Sequence, residues 1–129
     1  MFMSTTLTHM AHTCDAIIVS CIDFRFQKYI HEWIEKNMPN KTYDYVGFAG
    51  STKELDTILG QIDISVRLHS IHDVVLLHHE ECGAYGPEST PERHATDLRK
   101  ARETVLKKYP NLHVSLYYIH LDGTFEEIQ

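Results

Sequence analysis

Residues 73–83 read DVVLLHHEECG, and the fold is decided by how they are read. The apolar start is rich in β-branched residues and too short for a typical helix, which makes it a strand buried on both faces. Strands of that kind belong to parallel sheets walled by helices. Then the character changes: two histidines, two glutamates and a cysteine stand where the chain leaves the strand.

Working outward, residues 15–21 (DAIIVSC) repeat the pattern of a short, doubly covered strand. Residues 43–50 (YDYVGFAG) are aromatic and β-prone and break at glycine, and residues 113–121 (HVSLYYIHL) supply a further strand. Asp122-Gly123 is a hairpin signal leading into a short final strand at 125–128. Between the strands the period lengthens. Phe26, Tyr29, Ile30, Trp33 and Ile34 form one helical stripe that should end near Pro39. Residues 51–54 (STKE) read as a capping box opening a second helix, continued by Leu55, Ile58, Leu59 and Ile62. A third helix is expected over 90–109, with Thr90 as its cap, Pro91 in its first turn, cations in its last turn and Pro110 beyond. Strands alternating with helices predict an α/β fold. It should have a mostly parallel central sheet of about four strands flanked by helices, with a short antiparallel strand at the C-terminus.

The chain has 129 residues, 43% of them hydrophobic, which suits one domain over 1–129 with 1–14 as an N-terminal arm. A formal charge of −6, with scattered cations, argues against nucleic acid and for a small-molecule partner. No run approaches the roughly 20 apolar residues that span a bilayer, and residues 1–16 lack the cationic start and apolar centre of a secretory signal. No membrane association and a cytoplasmic location are expected. Three cysteines are too few for a disulfide scaffold, and beside ten histidines they direct attention to metal or thiolate chemistry.

In an open parallel sheet, functional groups gather beyond the carboxyl ends of the strands, so Cys21 and His79 can be neighbours. Cys82 follows His79 by three residues and can turn toward the same point. Two cysteines and a histidine are a known ligand set for catalytic zinc, which keeps its fourth position for water or substrate. In the run CIDFR (21–25), Cys21, Asp23 and Arg25 alternate along an extended chain and would point one way. From spacing alone, Asp23 and Arg25 serve equally well as a surface ion pair beside an inert cysteine.

CIDFR followed by HEEC resembles the paired Cys-x-Asp-x-Arg and His-x-x-Cys motifs of the β-class carbonic anhydrases. Ala49-Gly50, the stretch CGAY after the second motif, and YYIHLDGTFEEI near the end resemble family segments in the same order. The resemblance implies zinc held by Cys21, His79 and Cys82, and Asp23 with Arg25 as the dyad that positions a zinc-bound hydroxide. It implies Ala49, Gly50 and Gly83 around the substrate, reversible hydration of carbon dioxide to bicarbonate, and assembly as a homodimer or a dimer of dimers. Two thiolates would make the metal site roughly neutral, so its water should ionise less readily than beside three neutral histidines. Asp23 could then orient the hydroxide while Arg25 keeps the carboxylate ionised.

The chain also departs from the family pattern. Many members carry Arg-Asn-Ala-Gly-Asn where this chain has Gly47, Phe48, Ala49, Gly50 and Ser51, so polar contacts of that loop are missing, and no Gln precedes Cys21. His78 stands where the family has Gly and is read as a structural histidine bonded to backbone, on the face opposite His79. Glu80 and Glu81 are read as solvated turn residues, and Cys14 as a bystander. His69, His72, His94, His113 and His120 show no paired metal spacing, and His9 and His12 fall in the arm. Two alternatives stay open: a non-catalytic zinc protein, and a hydrolase of a carbon dioxide analogue such as carbon disulfide or carbonyl sulfide.

Overall fold

A computed structural model describes residues 12–129. Its centre is a five-stranded sheet in the order β2-β1-β3-β4-β5. The strands are β1 (Ala16–Ser20), β2 (Tyr43–Gly47), β3 (Asp73–His79), β4 (His113–Ile119) and β5 (Phe125–Ile128). The first four run parallel, and β5 returns antiparallel to β4 with Ile119 opposite Phe125. This is the expected α/β class, with the hairpin at Asp122-Gly123 closing the last pair.

Side-chain alternation along doubly covered strands divides the core in two. Ile17, Val19, Val74 and Leu76 face Ile58 and Ile62 of α2 (Leu55–His69) and Leu98, Ala101 and Val105 of α3 (Pro91–Lys108). On the other face, Ile18, Val75 and Leu77 meet Ile30 and Ile34 of α1 (Gln27–Asn37) together with Phe26. Each such side chain removed from water contributes about 1.5–3 kcal/mol. The stripe read for α1 is therefore the buried stripe. Tyr29 and Trp33 pack at its margin, and Trp33 stacks on Phe125 at 5.1 Å, which fastens the C-terminal strand to the first helix.

Helix ends agree with the sequence in one case and not in another. Thr90 caps α3 by accepting from the Arg93 amide, with Pro91 in the first turn. The capping box at 51–54 does not form: α2 begins at Leu55, Glu54 makes no side-chain cap, and Ser51 has φ +56°. The reason is topological. The chain leaving β2 must bend behind the end of β1, and residues 48–54 form turns that place Ser51 and Thr52 in the interior.

Of the arm expected over 1–14, residues 1–11, including His9, lie outside the described residues. Cys14 is fastened, its amide donating to the His69 carbonyl at 3.0 Å. No helix of the described residues is long and apolar enough to cross a membrane.

Candidate metal centre

From β1 the chain crosses to β2 on one side and then to β3 on the other, so the gap beyond the carboxyl ends of β1 and β3 is the switch point of the sheet. Crevices at such points hold ligands because loops diverge there and leave strand-end groups facing one another. Cys21 follows β1 by one residue, His79 ends β3, and Cys82 lies in the next turn. One ligand atom from each falls within 4.8 Å of the others, and all three residues are buried.

The details favour a cation. The sulfurs of Cys21 and Cys82 are 3.9 Å apart. His79 stacks on Phe26 at 4.2 Å and its Nδ1 lies 2.8 Å from the Glu80 carbonyl. A carbonyl can only accept, so Nδ1 carries the proton and Nε2 presents its lone pair. That Nε2 is buried without a hydrogen-bond partner among the described residues. A buried unpaired acceptor costs about 1–3 kcal/mol unless something occupies it. The contact with Cys82 holds the Cys21 thiol well below its ordinary pKa, assisted by His79 and by the Gly50 amide at 3.4 Å, against the opposing effect of burial. The same contact pushes Cys82 up. Two sulfurs and a ring nitrogen of this kind suit a borderline-soft divalent ion such as zinc.

Asp23 and Arg25 stand at the rim, but not as an extended strand. Residues Phe24–Phe26 make a 3-10 turn capped by Asp23, whose Oδ1 accepts from the Arg25 amide at 2.9 Å. That turn folds Arg25 back onto Asp23, with Nη2 to Oδ2 at 2.7 Å and Nε to Oδ1 at 3.1 Å. The guanidinium donates principally to that carboxylate and holds it below the usual carboxylate range. Asp23 Oδ2 lies 3.9 Å from His79 Nε2.

Several supports were not visible in the sequence. Glu81 is an exposed turn residue, as read, and it also holds Arg25, whose guanidinium reaches its carboxylate at 3.0 Å and its carbonyl at 3.1 Å. Glu80 accepts from the Leu121 amide at 2.8 Å, tying the loop after β3 to the β4–β5 turn. Gln27 Nε2 donates to the carbonyls of Cys21 and Asp23, holding the first motif from behind.

His78 does face away from His79, yet its partners are side chains rather than backbone. Its Nε2 meets Thr52 Oγ1 at 2.7 Å and its Nδ1 meets Nδ1 of His94 at 2.7 Å. His94 Nε2 then meets Ser89 Oγ at 2.9 Å, and Ser89 accepts from the Cys82 amide at 2.9 Å. Burial pulls His78 well below its ordinary pKa and lowers His94 to about 4, so both rings are neutral at pH 7. A residue 16 positions away carries no spacing signal, which is why His94 looked idle.

Of the three residues expected around the substrate, Gly50 backs the Cys21 sulfur with its amide and has φ +83°, where a Cβ would also meet Lys53 and Ala84 at 3.0 and 3.2 Å. Ala49 and Gly83 are exposed beside the cluster's two loops.

Known proteins with this architecture bear on the reading. The fold is similar to a carbonic anhydrase from Streptococcus mutans (TM-score 0.67, 16% identity, 92% of this chain and 83% of that one). It is also similar to carbonic anhydrase from Glaciozyma antarctica (0.66, 14%, 99% and 96%) and to the β-carbonic anhydrase CafA of Aspergillus fumigatus (0.55, 14%, 98% and 80%). In sequence it is 33% identical over 131 positions to an uncharacterized protein of Rickettsia conorii, covering 87% of this chain and 70% of that protein. A second, from Rickettsia bellii, is 30% identical, covering 87% and 80%. A family model described as "Putative carbonic anhydrase" matches residues 11–129, and the chain belongs to that family.

Proposed function

We propose that this protein is a zinc-dependent carbonic anhydrase that hydrates carbon dioxide reversibly to bicarbonate. The observation that carries the reading is the buried, unpartnered Nε2 of His79 beside two cysteine sulfurs, with an ionised carboxylate 3.9 Å away. Cys21, His79 and Cys82 would hold the zinc, and the ion would supply the Lewis acidity that brings a water's pKa down from 15.7 toward the neutral range.

The chain's own residues supply the rest. Asp23, kept charged by Arg25, offers Oδ2 as the acceptor that orients the attacking water's lone pair toward carbon dioxide. Arg25 is itself held by Glu81, which keeps the guanidinium on Asp23 rather than in solvent. Ala49, Gly50 and Gly83 frame the approach to the cluster and offer little beyond backbone, which suits a small, nonpolar substrate. Ile22 and Phe24 are 62% and 85% exposed on either side of Asp23, and covering them in a homodimer would exclude water from the site.

Stopped-flow hydration of carbon dioxide beside elemental analysis tests this directly. The reading expects one zinc held by the three residues and hydration that disappears when Cys82 is replaced by Ser. Bound zinc without turnover would favour a non-catalytic zinc protein, and turnover of carbon disulfide or carbonyl sulfide alone would favour the other hydrolase.

A further inference from the structure

At the opposite edge of the sheet a second group of metal-type side chains converges, with no part in the chemistry above. Cys14 sits two residues before β1, Asp44 is the second residue of β2, and His69 is the last residue of α2. Parallel topology brings the starts of the strands and the end of a crossover helix to this edge. One ligand atom from each of the three lies within 4.8 Å of the others. Beside them the His12 ring packs edge-on against the His69 ring, centroids 4.5 Å apart, and would have to turn inward to serve as a fourth donor.

We propose that Cys14, Asp44 and His69, completed by His12, form a second binding site for a zinc-like divalent cation. The donor set is one sulfur, one carboxylate oxygen and two imidazole nitrogens, a four-coordinate combination that suits zinc. With thiolate and carboxylate charged and both rings neutral, the charges of ion and ligands cancel. His12 and Cys14 are two apart on a non-helical stretch, so both can turn to one side. The anchor for Cys14 is already in place, since its amide bonds the His69 carbonyl.

The cluster also has a latent conflict that a cation would relieve. The Cys14 thiol makes a 3.6 Å contact with the Ala16 carbonyl, and the Asp44 carboxylate beside it adds to burial in opposing its ionisation. Asp44 meanwhile draws Ser65 and His69 onto one oxygen, Oδ2, at 2.6 and 2.7 Å. A divalent ion turns the repulsion between two developing anions into shared ligation. The thiol proton leaves to solvent, so binding at neutral pH should release about one proton per ion. The residues are only half buried, so the ion can enter and leave from water.

The test is a difference between two proteins, which makes it independent of whether the first site binds metal. Wild type and Cys14→Ser are dialysed against micromolar zinc and assayed by elemental analysis, and metal-free samples of each are titrated with cobalt(II) while the sulfur-to-cobalt charge-transfer band is followed. Wild type should hold one equivalent more zinc than Cys14→Ser, and the variant should lose that share of the band while its circular dichroism and carbon dioxide hydration stay unchanged. Asp44→Asn should reproduce the loss of one equivalent. Equal zinc content and an equal cobalt band in wild type and Cys14→Ser would overturn the proposal.

Discussion

The two ends of the sheet carry clusters of similar composition and opposite design. At the carboxyl edge, Cys21, His79 and Cys82 are at most 8% exposed, and the ring nitrogen that faces the sulfurs has no hydrogen-bond partner among the described residues. At the amino edge, Cys14, Asp44 and His69 are half buried, and the ring and carboxylate satisfy each other at 2.7 Å. The first cluster is a fixed socket. Its sulfur and nitrogen atoms are aimed by residues behind them: Phe26 and the Glu80 carbonyl for His79, Ser89 for Cys82, and the Gly50 amide for Cys21. The second can close on itself and must give up hydrogen bonds to take an ion. Preorganisation rather than ligand identity should therefore rank their affinities, with the carboxyl edge the tighter.

The sharpest way to break this comparison is to remove one sulfur from each end. Cys82→Ser should lose the zinc of the carboxyl edge, and hydration should fall to the uncatalysed rate in stopped flow, with lower thermal stability because metal binding is coupled to folding. Cys14→Ser should leave kcat/KM within about twofold, since a half-exposed site away from the chemistry touches no reacting group. If both variants lost activity alike, the functional division between the edges would be wrong.

Next in size is the rim of the socket. Arg25→Ala frees Asp23 from its clamp while leaving Cys21, His79 and Cys82 untouched. Groups that orient a metal site from just outside it are worth about 10–100-fold in activity, so kcat/KM should drop by that factor with zinc content near one equivalent at this edge. Near-wild-type turnover would reduce Asp23 and Arg25 to an ion pair.

Behind the socket, His94→Phe would leave His78 Nδ1 and Ser89 Oγ without their partner and should lower unfolding free energy by about 1–3 kcal/mol in guanidinium titrations at pH 7.5. Its pH dependence has a definite sign. Burial, with His79 adding to it, sets the folded pKa of His94 at about 4 against an ordinary 6.5, so the unfolded chain takes up the proton first. The stability this ring confers is complete above pH 6.5 and falls as pH drops toward 4. The variant should show a shallower decline across that window than wild type, and identical slopes would contradict a neutral buried ring.

The smallest effect belongs to the amino edge. Burial raises the Asp44 carboxyl, but the bonds from Ser65 and His69 together outweigh it and leave its folded pKa below the ordinary 3.8. Its contribution is present above that value and lost as pH falls through the lowered one. With zinc removed by chelation, Asp44→Asn should change stability at neutral pH by under about 1 kcal/mol, the range of half-exposed ion pairs, and flatten the acid limb of the unfolding curve. A larger loss would show that this cluster is as rigid as the first.

Much of the architecture was legible because it is local. The apolar runs at β1 and β3, the helical stripe from Phe26 to Ile34, and the Thr90-Pro91 start of α3 each state their own conformation within a dozen residues, and strand-helix alternation then dictates a parallel sheet. Once the sheet is parallel, Cys21 and His79 end on the same edge and can be neighbours, and the order β2-β1-β3 makes them so. Where local signals misled, tertiary demands had overridden them. The capping box at 51–54 gave way to a turn that buries Thr52 against His78, and the alternation expected through Arg25 gave way to a 3-10 turn closed by Asp23.

The sequence by itself determined the α/β fold and put Cys21, His79 and Cys82 at or just past strand ends on one edge of the sheet, because residue periodicity and parallel strand direction are enough for that, whereas the tertiary structure made β1 and β3 neighbours. Only the tertiary structure decided that Glu81 clamps Arg25 across 56 positions, that His78 is paired with His94 in the interior, and that Cys14 meets Asp44 and His69. Those contacts join segments whose separation has no characteristic spacing, and their geometry is fixed by how helices seat on the two faces of the sheet rather than by any pattern along the chain.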